Sequence, residues 1–212
     1  MADVNDMFDN ITKEQSIVSS KANTEKKQWT PLAKGEYYGH IIEVSTKILD
    51  VKGGKYKARL YSYTVEASEE NKDKDFAYDN GMGETLVTKG HDYVGKKFRG
   101  NLWKFLEPNK EDTFESNADG NASFLRFCDT IGKDCPIETR NIGGEDVEVK
   151  LLPSLSAEDF LGQPVIAFVD KGRAYTDKSG KQRQYFDCKF CKKWDEGKKK
   201  DISSGGKNEI PF

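Results

Sequence analysis

No stretch of this 212-residue chain approaches eighteen consecutive apolar residues, so the sequence offers no membrane-spanning helix. Catalytic signatures are just as scarce. There is no glycine-rich phosphate loop ending in Lys-Ser/Thr and nothing resembling a nucleophile elbow. Histidine occurs only as His40 and His91. Acidic residues are abundant, yet none forms the spaced set of a two-metal nuclease centre. The expectation is a protein that is not an enzyme and needs no cofactor. Cysteine is limited to four residues. No export leader is readable at Met1, so the thiols are expected to stay reduced, in a cytoplasmic protein without a disulfide framework. Global basicity is missing too. Lys and Arg total 34 against 36 Asp and Glu, a net charge of −2. Total charge therefore does not advertise a nucleic-acid partner.

The charge that is present is segregated. Val165 to Lys200 holds eleven Lys/Arg against five Asp/Glu, whereas Glu66 to Asp79 holds six acids against two lysines. A folded body with a basic face and acidic loops elsewhere fits that asymmetry. With 33% of residues charged, part of the chain is expected to be uncovered tail or loop. Residues 1–30 read as a mobile arm with one short helix near Met7–Ile11. Residues 31–195 read as the folded domain, and residues 196–212 as a flexible tail.

Within the domain, Gly35 to Val44 is rich in aromatic and β-branched residues and predicts a strand. Gly53-Gly54 marks a hairpin turn, and Lys55 to Val65 alternates as the second strand. Glu66 to Gly90 reads as a long polar connection. Lys96 to Leu106 alternates as a third strand, with Gly100 on its apolar face. Pro108 to Gly120 reads as another polar loop. Phe124, Leu125, Phe127, Cys128 and Ile131 make one stripe of a helix over Ala122 to Gly132. Asn141 to Leu152 reads as a hairpin turning at Gly143-Gly144, and Ser156 as the N-cap of a short helix. Pro164 to Val169 and Gln184 to Cys191 complete the set. Three strands, a helix, then two strands is the order of an OB (oligonucleotide/oligosaccharide-binding) fold. The expected class is all-β with one or two short helices, a five-stranded Greek-key barrel with long loops and flexible tails.

The two alternating strands carry the chemistry. On the second, Lys57, Arg59, Tyr61 and Tyr63 share a face opposite Ala58 and Leu60, with Tyr56 grouped with the latter. On the third, Lys97, Arg99, Asn101, Trp103 and Phe105 share a face opposite Phe98, Leu102 and Leu106. Aromatics left in water among cations suit single-stranded nucleic acid: bases stack on rings and phosphates meet Lys and Arg. The competing reading buries both faces, with Tyr63, Trp103 and Phe105 packed under long loops. The connection between the last two strands repeats the theme with Lys171, Arg173, Tyr175, Lys181, Arg183 and Tyr185, in the position that flanks the OB cleft. Its bland alternative is a solvated hairpin.

Cys188-Lys189-Phe190-Cys191 is the sharpest metal-like pattern. Zinc would need two further ligands, for which Cys128 and Cys135 are available. Alternation of Phe186, Cys188 and Phe190 as a core face instead sends Cys191 to the other side. Cys128 lies on the helix stripe, and its spacing from Cys135 is unusual for zinc. Buried thiols and no metal are the expectation, with Cys188 and Cys191 the weak candidates.

The chain closes on Asn208-Glu209-Ile210-Pro211-Phe212. Pro211 restricts its own φ and favours an extended Ile210, holding a ring, an aliphatic side chain and a carboxylate as a short ligand for an apolar pocket. Taken with Gly35-Glu36-Tyr37, Gly54 to Tyr61, Phe98 to Trp103 and Lys189 to Trp194, this ending resembles phage-encoded single-stranded-DNA-binding proteins. The resemblance implies coating of single-stranded DNA in phage replication, recombination and repair, in the host cytoplasm. It implies recruitment of replication and recombination proteins (polymerase, helicase or primase) through Ile210, Pro211 and Phe212, and it leaves a homodimer open. The tail departs from the family's strongly acidic pattern: from Gly197 onward it carries only Asp201 and Glu209 among several lysines. An OB-like adaptor or inhibitor without DNA affinity is the main rival; a nuclease or recombination enzyme of another kind is the second.

Overall fold

The computed structural model describes residues 32–80, 82–108, 114–116 and 119–202. The expected arm at 1–30 and the tip Ile210–Phe212 lie outside the described residues.

β1 (Gly35–Val51) runs well past the expected end at Val44. It turns through Lys52, Gly53 and Gly54, all with positive φ, as the glycine pair predicts. β2 (Tyr56–Ala67) returns antiparallel to it. The polar connection then departs from expectation by folding. β3 (Asp75–Asp79) and β4 (Thr85–Lys89) form a separate hairpin. Two residues explain it. Phe76 stacks on Tyr37 of β1, with ring centroids 4.4 Å apart. The side chain of Asn71, fully buried, accepts from Tyr38 N (2.9 Å) and donates to Tyr38 O (2.7 Å), replacing a strand partner.

β5 (Lys97–Pro108) pairs antiparallel with β2, and β6 (Phe114–Ser116) pairs with its far end inside the expected loop. α1 (Ala122–Thr130) follows, with Phe124, Phe127 and Cys128 buried as the stripe predicts. β7 (Ile137–Ile142) and β8 (Glu145–Lys150) make the inserted hairpin. In α2 (Ala157–Phe160) the Asp159 carboxylate accepts from Ser156 N (2.7 Å), so Ser156 opens the helix as expected. β9 (Pro164–Lys171) pairs with β1. After a small hairpin, β10 (Tyr175–Thr176) with β11 (Gln182–Arg183), β12 (Phe186–Lys193) pairs antiparallel with β9. It also pairs in parallel with β5, at Asp187–Arg99 and Cys188–Gly100. Those two rungs close β1, β2, β5, β9 and β12 into a five-stranded mixed barrel. Among the described residues, the architecture is mostly β with two short α-helices, an OB-like fold.

The interior is aromatic. Tyr37, Phe76, Tyr93 and Phe98 pack together around Tyr37. Tyr61, Tyr63, Phe124, Phe127 and Phe160 form a second group under α1. Lys104 is buried with them. Its ammonium donates to Leu152 O (3.1 Å) and Pro153 O (3.0 Å), which satisfies the charge inside. The stretch expected to be a flexible tail from residue 196 is held to the barrel at first: Lys200 N donates to Gly162 O (2.9 Å), and His40 Nε2 meets Lys198 O (3.0 Å). Among the described residues, no helix is long and apolar enough to cross a membrane.

Candidate nucleic-acid interface

β5 alternates as its sequence predicts. Phe98, Gly100 and Leu102 are buried, while Lys97, Arg99, Asn101 and Trp103 are exposed. Residues directly opposite each other in antiparallel strands point to the same side. The register therefore sets Leu60 beside Trp103, Ala58 beside Phe105 and Ser62 beside Asn101 on the outer surface. Ala58 and Leu60 are an apolar bed for the two rings. Trp103 is 36% exposed and Phe105 half-buried. Their rings lie nearly parallel (13°), with centroids 6.2 Å apart. That is the strand's own two-residue repeat of about 6.6 Å. Asn121, fully buried, accepts from Phe105 N (2.8 Å) and donates to Phe105 O (3.0 Å), pinning the backbone under the second ring. Ser62 Oγ donates to Asn101 Oδ1 (2.9 Å).

β2 contradicts its sequence reading. Tyr61 and Tyr63 are 2% and 3% exposed and belong to the core. Lys57 and Arg59 share their side of the sheet, opposite Leu106 and Lys104, and so do not join the outer strip with Trp103. The alternation suggests the opposite assignment because Ala58 and Leu60 have the character of core residues. The continuation of the odd positions as Val65 and Ala67, both buried, was the signal that the odd side faces inward. Gly100 supplies the reason. A Cβ there would lie 2.3 Å from Tyr63 Cζ, so the missing side chain is the space the Tyr63 ring occupies. Burial drives the phenol pKa of Tyr61 and Tyr63 up, and for Tyr63 the neighbouring Cys191 and Cys188 add to it.

Residues the sequence reading passed over complete the strip. Lys47 of β1 is opposite Leu60 and so lies in the row of Trp103. It becomes visible only when β1 is known to run to Val51. Tyr56 has the parity of Ala58 and stands on the outer side, with Lys52 Nζ 5.1 Å and Lys55 Nζ 5.2 Å from its ring centroid. By register the strip runs from Arg99, beside Asp187 at the start of β12, toward this β1–β2 turn.

The β9–β12 connection is an ordered hairpin. Asp177 Oδ1 accepts from Ser179 N (2.9 Å) and Lys181 N (3.0 Å), fixing its tip. Tyr175 and Tyr185 lie 5.5 Å apart, Tyr185 being 62% exposed. Arg183 is opposite Tyr175 in the register, and Lys171, Arg173 and Lys181 are exposed. The hairpin leads into β12 at Asp187, the partner of Arg99.

No family model, curated protein or solved structure matches this chain.

The cysteines differ from expectation in one respect. A β-bulge between Cys188 and Phe190 shifts the parity of β12, turning Cys191 inward and Phe190 outward. Cys188 Sγ and Cys191 Sγ are 3.6 Å apart, and Tyr63 Oη is 3.8 and 3.5 Å from them. The shared contact lowers the pKa of Cys188 and raises that of Cys191. Two sulfurs are half a structural zinc set. Among the described residues, no group of three or more His, Cys, Asp or Glu is placed to hold a metal ion. Cys128 is buried, and desolvation with Cys135 nearby pushes its thiol up to about 12.

Proposed function

We propose that this protein binds single-stranded DNA with little sequence preference, coating it during phage replication, recombination and repair in the host cytoplasm. The observation that carries the reading is the Trp103–Phe105 pair: two parallel rings on the outer face of the third barrel strand, with Arg99 and Lys97 along the same strand and Lys47 in the row of Trp103, two strands away on β1. Each ring offers a stacking surface that any base can use, and the cations suit the phosphates. Strands two and three with the flanking loops are where OB barrels carry oligonucleotides. The Tyr175–Tyr185 hairpin and the Lys52–Lys55 turn occupy those loop positions. Ile210, Pro211 and Phe212 are assigned to recruitment of a polymerase, helicase or primase.

The adaptor reading draws on a different surface. Ile137, Ile142 and Val147 of the β7–β8 hairpin are exposed, which suits a protein partner.

Titration with fluorescent oligothymidine at several salt concentrations separates the two. Binding with quenched Trp fluorescence and a clear salt slope is expected. Replacing Trp103 and Phe105 together by Ala should weaken it by roughly 1–3 kcal/mol per stacked base. Absence of binding at low salt refutes the proposal, and degradation of the oligonucleotide with magnesium would mark a nuclease.

A further inference from the structure

β5 and β12 diverge beyond their two parallel rungs, and α1 packs against both. The junction holds a groove of about 680 Å³. Arg126 from α1 and Lys189, Lys192 and Lys193 from β12 line it, against a single carboxylate, Asp129. The same bulge that turns Cys191 inward sets Phe190 on the groove wall, 46% exposed. Its ring is backed by Phe168, stacked 4.9 Å behind it at 15°. Asn101 lines the groove and also stands on the outer strip two residues before Trp103.

We propose that this groove accepts a nucleotide of the bound single strand, with its base against Phe190 and its phosphates on Arg126 and the β12 lysines. The inference rests on the strip being a single-stranded-DNA interface, and extends that interface across the seam of the barrel. An apolar wall beside a cationic rim matches the two halves of a nucleotide. The groove continues the strip through Asn101, so a strand leaving Trp103 toward the start of β5 meets it next. The β12 lysines pair with surface carboxylates, Lys193 with Asp195 (2.8 Å), Lys189 with Asp187 (3.6 Å) and Lys192 with Glu36, and Lys192 Nζ also lies 5.9 Å from the Phe190 ring centroid, beside the place given to the base. Exposed pairs of this kind contribute little, so phosphates can displace them.

The test is made on the full chain with oligothymidine. Bromodeoxyuridine-substituted oligothymidine is photocrosslinked to the wild-type protein, and crosslinked peptides are identified by mass spectrometry. A crosslink is expected in the segment carrying Phe190 as well as in that carrying Trp103. In titrations, Phe190→Ala should weaken binding roughly 5- to 150-fold, the range for one stacked base. Arg126→Glu combined with Lys193→Glu should lower the slope of log affinity against log salt by about 1.4, the value for two lost phosphate contacts. Either a missing Phe190 crosslink or wild-type binding by both variants overturns the groove and leaves the strip standing. A wild-type protein that binds no oligothymidine at low salt overturns both.

Discussion

β2 and β5 are adjacent, antiparallel and similar in composition, each alternating basic and aromatic residues with small or aliphatic ones. They use that alternation in opposite senses. β5 turns its aromatic-basic positions to solvent, while β2 turns its own into the barrel, where Tyr61 and Tyr63 join Phe124, Phe127 and Phe160. Alternation defines two faces and is silent on which is inside. The decision comes from the neighbour. Tyr63 fits inward because Gly100, opposite it in the register, has no side chain. Leu60 and Ala58 are buried outside because Trp103 and Phe105 are their cross-strand partners.

The largest expected effect tests this difference directly. Tyr63→Ala should destabilise the fold by about 3–5 kcal/mol, as loss of a buried aromatic does. Trp103→Ala should cost about 1 kcal/mol in stability. Chemical denaturation of both variants measures the contrast. A stable Tyr63→Ala protein would put the ring on the surface and reverse the assignment. Next in size is Gly100→Ala. The added methyl meets the Tyr63 ring, and overpacking of this kind costs about 1–3 kcal/mol. Equal stability of Gly100→Ala and wild type would show that the ring has room elsewhere. The smallest effect is in alkali. The folded-state pKa of Tyr63 is raised by burial, so the stability it contributes is complete below the ordinary phenol pKa of about 10 and falls as pH rises through it. Tyr63→Phe keeps the ring and removes the ionisation. Its stability should decline less than that of wild type between about pH 8 and pH 11. Parallel declines would contradict an interior phenol.

Strand order, the position of α1 and the parity of β5 were legible because they depend on local period and punctuation. What was not legible depends on single contacts between distant segments. Asn71 and Asn121 look like loop residues, yet each clamps the backbone of a strand. The β3–β4 hairpin depends on Phe76 finding Tyr37, far away in sequence. Phe190 and Cys191 lie beyond one bulged residue, which reverses every parity argument past it. For the candidate site, Trp103, Phe105, Arg99 and the hairpin residues were legible from alternation and composition. Lys47 and Arg126 were not, since each joins the candidate site only through its neighbours across the sheet or helix.

The barrel is sealed between β5 and β12 by two rungs, whereas β2 and β5 share a register running from Lys57–Leu106 to Glu66–Lys97. A closed cylinder gives way where fewest bonds hold it, so the amides beside Gly100 and Cys188 should trade their hydrogens with solvent through local opening, ahead of the rest of the wall. A strand of DNA lying on Asn101 and Phe190 would touch both lips of that seam. Binding would then act as a suture, and occupancy and the integrity of the cylinder would be two readings of one equilibrium.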